Sequence, residues 1–334
     1  MLVVFAVSGM SLGLIEGGSI VFVFHMWGSV AMPIIQTAYF MFGIGALAAP
    51  LLSQPFLLVT HPGDLMDGLE IGYRAAKSHE HLHDQGMECN LVVPYSVLAG
   101  LMLVNAVLMF LVWCWSPETP EHPSRIQVPK EGSVVGMQEK TRSTVWKAVV
   151  VMLHLLVVHL YFGVYVGLAS YLSSFVVTSD LNLSKTEGAH MTTMFWSTFT
   201  FAKLVALAYT PWIGNRNSVL LGLSVMLTGS ILLVLFAETS ESLVWLAVAL
   251  IGIGLSSIYA CMLRYLENFF PVTSTIGSLT SVAGVLGEFT FPALISLFID
   301  STPIVVVWVV AASSVAMSAL FPLIILLCNT KLKA

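Results

Sequence analysis

Long, uninterrupted apolar runs dominate the chain, and their length decides its class. Nine of them fall at about 1–25, 33–59, 94–115, 145–176, 189–213, 218–237, 243–263, 273–299 and 303–328. Each is about 20 residues or longer, the length a helix needs to cross a hydrocarbon core roughly 30 Å thick. None keeps the apolar/polar alternation of a membrane β-barrel strand. The pattern predicts an all-α, polytopic transmembrane bundle of about nine helices. The fourth run has room for an interfacial turn near Lys147.

Two hydrophilic stretches interrupt the series. The first, 60–93, contains HPGDLMDGLEIGYRAAKSHEHLHDQGMECN. The second, 116–144, contains SPETPEHPSRIQVPKEGSVVGMQEKTRS and is rich in Pro and charge. It reads as a linker loop between residues 1–115, with three helices, and residues 145–334, with six. Nine helices split three and six are the pattern of a twelve-helix, two-half protein without its first three helices.

Composition agrees with the pattern. Hydrophobic residues make up 57% of the chain and charged residues only 9%, against roughly 25% charged in an ordinary soluble domain. The mean hydropathy is +0.91. The polar surface that water demands is lacking, so the solvent is lipid. A net charge of −5 with no long basic block speaks against a nucleic-acid partner. Cys89, Cys114, Cys261 and Cys328 are scattered, with no metal-like spacing and no disulfide framework. The first residues lack the basic start and small-residue cleavage site of a signal peptide, so they read as a true helix.

Lys and Arg set the orientation. With the C-terminus cytoplasmic, nine spans put the N-terminus outside. The inside loops and tail then hold Arg125, Lys130, Lys140, Arg142, Lys147, Arg216, Arg264, Lys331 and Lys333, while the outside loops hold only Arg74, Lys77 and Lys185. The sequon Asn182-Leu183-Ser184 falls outside in the same arrangement, as glycosylation of Asn182 requires. The expected location is the plasma membrane.

Charge within lipid is costly, about 2.5–3.5 kcal/mol on insertion scales, so each intramembrane polar residue needs a reason. Glu16, beside Gly17, Gly18 and Ser19, reads as a cavity-facing carboxylate or a packing carboxylate paired within the bundle. Gln36, just after Pro33, suits a sugar hydroxyl or a helix-capping bond. Trp196 offers a flat face to a pyranose ring, or packs in the core. Lys203 lies at i+7 from Trp196 on the same face and is expected to pair with a carboxylate or reach the interface. Glu288 precedes Pro292 by one turn, where a helix break would form part of a gate. Tyr161, Tyr165 and Tyr171 line the fourth run, facing a cavity or packing. His79, His81 and His83 alternate like zinc ligands, though a solvated loop explains them as well. HEHLH at 79–83 matches HExxH and GMSLG at 9–13 matches GxSxG by letter, but the first falls in a hydrophilic stretch read as a loop and the second in an apolar run without the strand-to-helix turn its motif needs. No phosphate-cradling GK[ST] pattern is present, so hydrolase and ATP-driven chemistry have little to stand on.

The stretch GMSLGLIEGGSIVFVFHMWGSVAMPIIQTAYFMFGIGALAAPLL resembles helices four and five of the sodium-dependent glucose transporter-like branch of the major facilitator superfamily, and more distantly the fucose permeases. Gly9, Gly13, Glu16, Gly18, Trp27, Gly28, Pro33, Gln36, Phe42, Gly43, Gly45, Ala46 and Pro50 match the family pattern. MFWSTFTFAKL resembles its F-W-x-x-F-x-x-G-R-L, and VLGEFTFP its G-E-x-x-x-P. Ser19 stands where the family has Asn, Ala202 where it has Gly and Lys203 where it has Arg. Tyr165 stands at a position commonly acidic in the family.

The resemblance implies a partial major-facilitator fold, three helices plus six, and uptake of a glucose-like hexose by alternating access. Coupling to Na+ or H+ is a possibility it carries, and no other cofactor is implied. Glu16, Ser19, Gln36, Tyr165 and Trp196 are then the substrate-contacting candidates, with Lys203, Glu288 and Pro292 structural or gating. A homo-oligomer is one way to restore missing cavity walls. Two rival readings remain open: a non-transporting or incomplete homologue, and a metal-responsive sensor using the His-rich loop.

Overall fold

The computed structural model describes residues 18–19, 22–23, 26–27, 34, 37–48, 92–115, 135–270 and 274–332. The expected run 1–25 is thus seen only in part, and its described residues are helical. Glu16, Gln36 and the loop carrying His79, His81 and His83 lie outside the described residues.

Eight helices make up the rest: α1 Thr37–Ala48, α2 Val92–Trp115, α3 Val135–Thr178, α4 Lys185–Ile213, α5 Asn215–Phe236, α6 Glu241–Glu267, α7 Ser274–Ser296 and α8 Val305–Leu332. Among the described residues there is no strand. The expected all-α bundle is what forms. Two compact units are distinguishable, one of Met1–Leu47 with Gly132–Ala334 and one of Ala48–Glu131. In the second, the described side chains of α2 from Ser96 to Leu111 are all exposed, as suits an apolar helix whose solvent is lipid.

Among the described residues, five helices are long and apolar enough to cross a membrane, over Val145–Thr178, Asn215–Phe236, Glu241–Glu267, Thr275–Ser296 and Val305–Thr330. α3 has 44 residues, which at 1.5 Å each reach about 66 Å, well beyond a hydrocarbon core. It begins ten residues earlier than its apolar run because GMQEKTRST contains no helix breaker apart from its first residue. α4 is diluted by hydroxyl residues. Thr192, Thr193, Ser197 and Thr198 each return their hydroxyl proton to the carbonyl one turn back, at 2.8–3.1 Å. Helical side chains thereby satisfy themselves where water is absent.

In the larger unit, α3 packs on α4, α7 and α8, α6 packs on α4 and α5, and α8 also packs on α5. The leading helix of α3–α4–α5 thus meets the middle helix of α6–α7–α8, and the reverse pairing, α6 on α4, is present too. That reciprocity is what two three-helix repeats related by a pseudo-two-fold axis produce.

The α5–α6 contact depends on glycine. A Cβ on Gly222 would lie 2.7 Å from the Gly254 carbonyl oxygen, and one on Gly254 would lie 2.6 Å from that of Gly222. The two backbones touch because neither residue has a side chain. Hydroxyl pairs stitch the helices elsewhere: Ser230 and Ser314 meet at 2.6 Å between α5 and α8. Trp146 Nε1 donates to the Leu327 carbonyl at 2.8 Å, tying α3 to α8.

Candidate functional site

The site grows from one face of α4. Trp196, Phe199 and Lys203 follow at i, i+3 and i+7, so they share a stripe. Trp196 and Phe199 have ring centroids 6.0 Å apart at 84°. Lys203 Nζ sits 4.4 Å from the Phe199 centroid and 5.2 Å from that of Tyr39, on α1. Both distances are within cation–π range. The ion pair expected of Lys203 is absent among the described residues, where Arg264 and Glu267 pair with each other at 2.6 Å. Aromatic faces take the place of a carboxylate.

Tyr39 in turn meets Tyr259 of α6 edge to face, with centroids 5.5 Å apart at 73°. Two cavities share this pair of rings and no other residue. The larger, about 280 Å³, lies between α1, α4 and α6 and is lined by Thr37, Tyr39, Phe40, Met41, Lys203, Leu204, Leu207, Ser256, Tyr259 and Ala260. It is near the lower end of small-molecule pockets, roughly 300 Å³. The smaller, about 10 Å³, has room for about one water and is lined by Tyr39, Phe162, Tyr259, Ser281, Gly284, Val285 and Glu288.

Glu288, partly buried, therefore faces hydroxyl-bearing side chains in a water-sized space. The helix break expected at Pro292 is absent: α7 runs on through it to Ser296. A proline removes one backbone donor, here the partner of the Glu288 carbonyl one turn back, but packing on α3 holds the helix together. Two histidines of α3 assist. His154 Nε2 and Thr280 Oγ1 are 3.3 Å apart, and His159 Nε2 and Thr290 Oγ1 are 3.4 Å apart.

Tyr165 is buried, 4% exposed, and meets Trp196 at 5.1 Å and 85°. Phe42 of α1 touches both, at 6.2 and 6.1 Å. Tyr161 stacks on Tyr165 at 6.1 Å and 9°. Tyr165 and Trp196 are thus brought together, within an aromatic cluster that borders the Lys203 stripe. Ser19 is helical and exposed. Asn182 is exposed on the α3–α4 turn, in the left-handed conformation with φ 46°.

Sequence reasoning did not single out Tyr39, Phe199, Ser256 or Tyr259. A signal existed for three of them. Phe199 lies between Trp196 and Lys203 on their stripe, and Ser256 and Tyr259 share GLSSIYA, a small-residue stretch of α6. Beyond Lys203 a polar thread joins α4, α5 and α6: Thr210 Oγ1 and Cys261 Sγ are 3.7 Å apart, Ser218 Oγ donates to Thr210 Oγ1 at 3.3 Å, and Ser257 Oγ donates to the Ser218 carbonyl at 3.3 Å.

The sequence is similar along its whole length to transport proteins of one family. Sodium-dependent glucose transporter 1A of Mus musculus is 23% identical over 339 residues, covering 100% of this chain and 77% of the relative. Sodium-dependent glucose transporter 1 of Homo sapiens is 24% identical over 338 residues, covering 99% of this chain and 62% of the relative. Major facilitator superfamily domain-containing protein 4A of Xenopus tropicalis is 21% identical over 334 residues, covering 87% of this chain and 66% of the relative. The chain thus spans less than two thirds of the human relative's length. These are the relatives that the motifs of α1, α4 and α7 point to. The family model of the Major Facilitator Superfamily matches residues 1–292, and the chain, an integral membrane protein, belongs to that superfamily.

Proposed function

We propose that this chain acts as a secondary transporter of a hexose-class sugar, coupled to Na+ or H+, by alternating access. The observation that carries the reading is the cavity between α1, α4 and α6, where Thr37, Tyr39, Ser256 and Tyr259 bring hydroxyls to a pocket otherwise walled by apolar side chains. Sugars need that combination: hydroxyl partners in plane and apolar or aromatic surface against ring faces. The names of the mouse and human relatives support the same substrate class. Trp196 and Tyr165 extend the aromatic wall, and Glu16, Ser19 and Gln36 are the further substrate-contacting candidates that the family resemblance implies. Glu288, in its water-sized space, is suited to the coupling cation. The N-terminus lies outside and the C-terminus in the cytoplasm of a plasma-membrane protein.

Uptake of labelled hexoses into liposomes containing the purified chain tests this. Accumulation that follows an imposed Na+ or proton gradient, and is lost in Glu16→Ala, is expected. Uptake no greater than in protein-free liposomes overturns it.

A further inference from the structure

A lysine within a membrane helix has to have its charge answered. The described partners of Lys203 are two aromatic faces, and these attract an ammonium without supplying acceptor oxygens for its three N–H groups. Among the described residues, the carboxylates of the surrounding helices are elsewhere. The described stretch of α1 has none. The acid of α4, Glu187, is 16 residues away, about 24 Å along the helix. On α6, Glu241 is in the first turn, and Glu267 is held by Arg264 at 2.6 Å. Glu288 lines the other cavity, beyond Tyr39 and Tyr259. The Lys203 ammonium instead lines a cavity of about 280 Å³ with hydroxyls around it.

From this we infer that the cavity takes a sugar bearing a carboxylate, a hexuronate, and that Lys203 is the counter-ion for that carboxylate. This rests on the sugar-transport reading and narrows its substrate class. A neutral hexose fits beside the hydroxyl-bearing side chains that line the cavity but brings no charge to the ammonium. A uronate fits there equally and adds a charge-assisted hydrogen bond, which is short and about twice as strong as a neutral one. In a water-poor pocket that difference becomes selectivity, because an unanswered charge costs most where the dielectric is low.

The test uses the whole chain in liposomes, with labelled D-glucuronate and D-glucose supplied separately and in competition. Wild type is expected to prefer glucuronate by about tenfold or more, the effect of one charged hydrogen bond. Lys203→Gln, which keeps length and polarity but not charge, is expected to erase that preference, and Lys203→Arg to retain it. Wild-type glucose uptake that excess glucuronate does not inhibit overturns the inference while leaving sugar transport standing. A Lys203→Gln variant with unchanged selectivity overturns it as well. If neither sugar enters, the transport reading fails, and melting of the detergent-solubilised protein decides the site. Glucuronate raising the melting temperature of wild type but not of Lys203→Gln upholds it, and no difference between them overturns it.

Discussion

Tyr39 and Tyr259 meet edge to face with centroids 5.5 Å apart, and their rings stand between the cavity of Lys203 and that of Glu288. A cationic and an acidic side chain thus line separate spaces that share one aromatic wall.

That wall is also part of the core, which makes its removal measurable. Tyr259 is 5% exposed and packs on Tyr161 at 5.9 Å and Phe162 at 5.2 Å. Tyr259→Ala is expected to lower stability by about 3–5 kcal/mol, as for other buried aromatic truncations. Thermal unfolding in detergent reads this directly, and a loss below about 1 kcal/mol would show that the ring is not packed as described.

Much of this arrangement was legible beforehand, and the unread part has a physical cause. Run length fixed the helices, because lipid permits nothing else for such a chain. The Trp196–Lys203 stripe followed from helical spacing alone. The partner of Lys203 did not. Periodicity says which face a residue occupies, not which side chain another helix presents to it, and Tyr39 and Lys203 are 164 positions apart. Pro292 misled for a related reason. Proline breaks an isolated helix, but neighbours in a bundle let α7 continue through it. α4 also departed from a purely apolar span, since its hydroxyls bond to its own backbone.

The α5–α6 seam should tolerate no side chain. Gly254 already has the Met226 amide nitrogen 2.5 Å from where a Cβ would stand, and the Gly222 carbonyl oxygen at 2.6 Å. Both are backbone atoms, so relief requires the helices to part. Gly254→Val is expected to cost about 1–3 kcal/mol or more through overpacking, with a lower melting temperature and a broadened size-exclusion peak. A sharp peak and unchanged melting would show that the helices are not in backbone contact.

Trp146 is linked to α8 by a hydrogen bond, donated by Nε1 to the Leu327 carbonyl at 2.8 Å. The ring also meets Phe270 at 6.1 Å and 87°. Trp146→Phe keeps an aromatic ring and removes the donor, so the expected loss is about 1 kcal/mol. Amide exchange in the last turns of α8 should quicken in the variant. Equal exchange and equal stability would argue that the bond is not formed.

The start of α4 carries a pH-sensitive cap. Ser184 accepts from the Glu187 amide at 3.2 Å, while Glu187 Oε2 accepts from the Ser184 hydroxyl at 2.7 Å and its amide at 2.8 Å. The Ser184 hydroxyl and then its backbone N–H hold the Glu187 carboxyl below its ordinary value of 4.5. A depressed carboxyl contributes stability above its unfolded value and loses it as pH falls through the folded one. Glu187→Gln should therefore melt below wild type at neutral pH, with the gap closing as the solution is acidified past about pH 4. A gap independent of pH would mean that the charge has no part in the cap.

Asn182 offers a test of orientation that is independent of transport. It is exposed, in a left-handed turn that asparagine tolerates better than most residues, and the sequon hydroxyl is the Ser184 hydroxyl of the cap. An acceptor needs an accessible side chain on the lumenal side during synthesis. With the α3–α4 turn outside, expression in a eukaryotic cell should yield a species whose mobility rises on treatment with an N-glycosidase. Asn182→Gln should abolish that shift without altering the melting of the unglycosylated protein. Placing a new sequon in the α4–α5 turn, on the opposite side of the membrane because one helix intervenes, should give no shift. Glycosylation there and none at Asn182 would reverse the assignment, and the excess of Lys and Arg between residues 125 and 147 would then face outward, against the usual cytoplasmic bias.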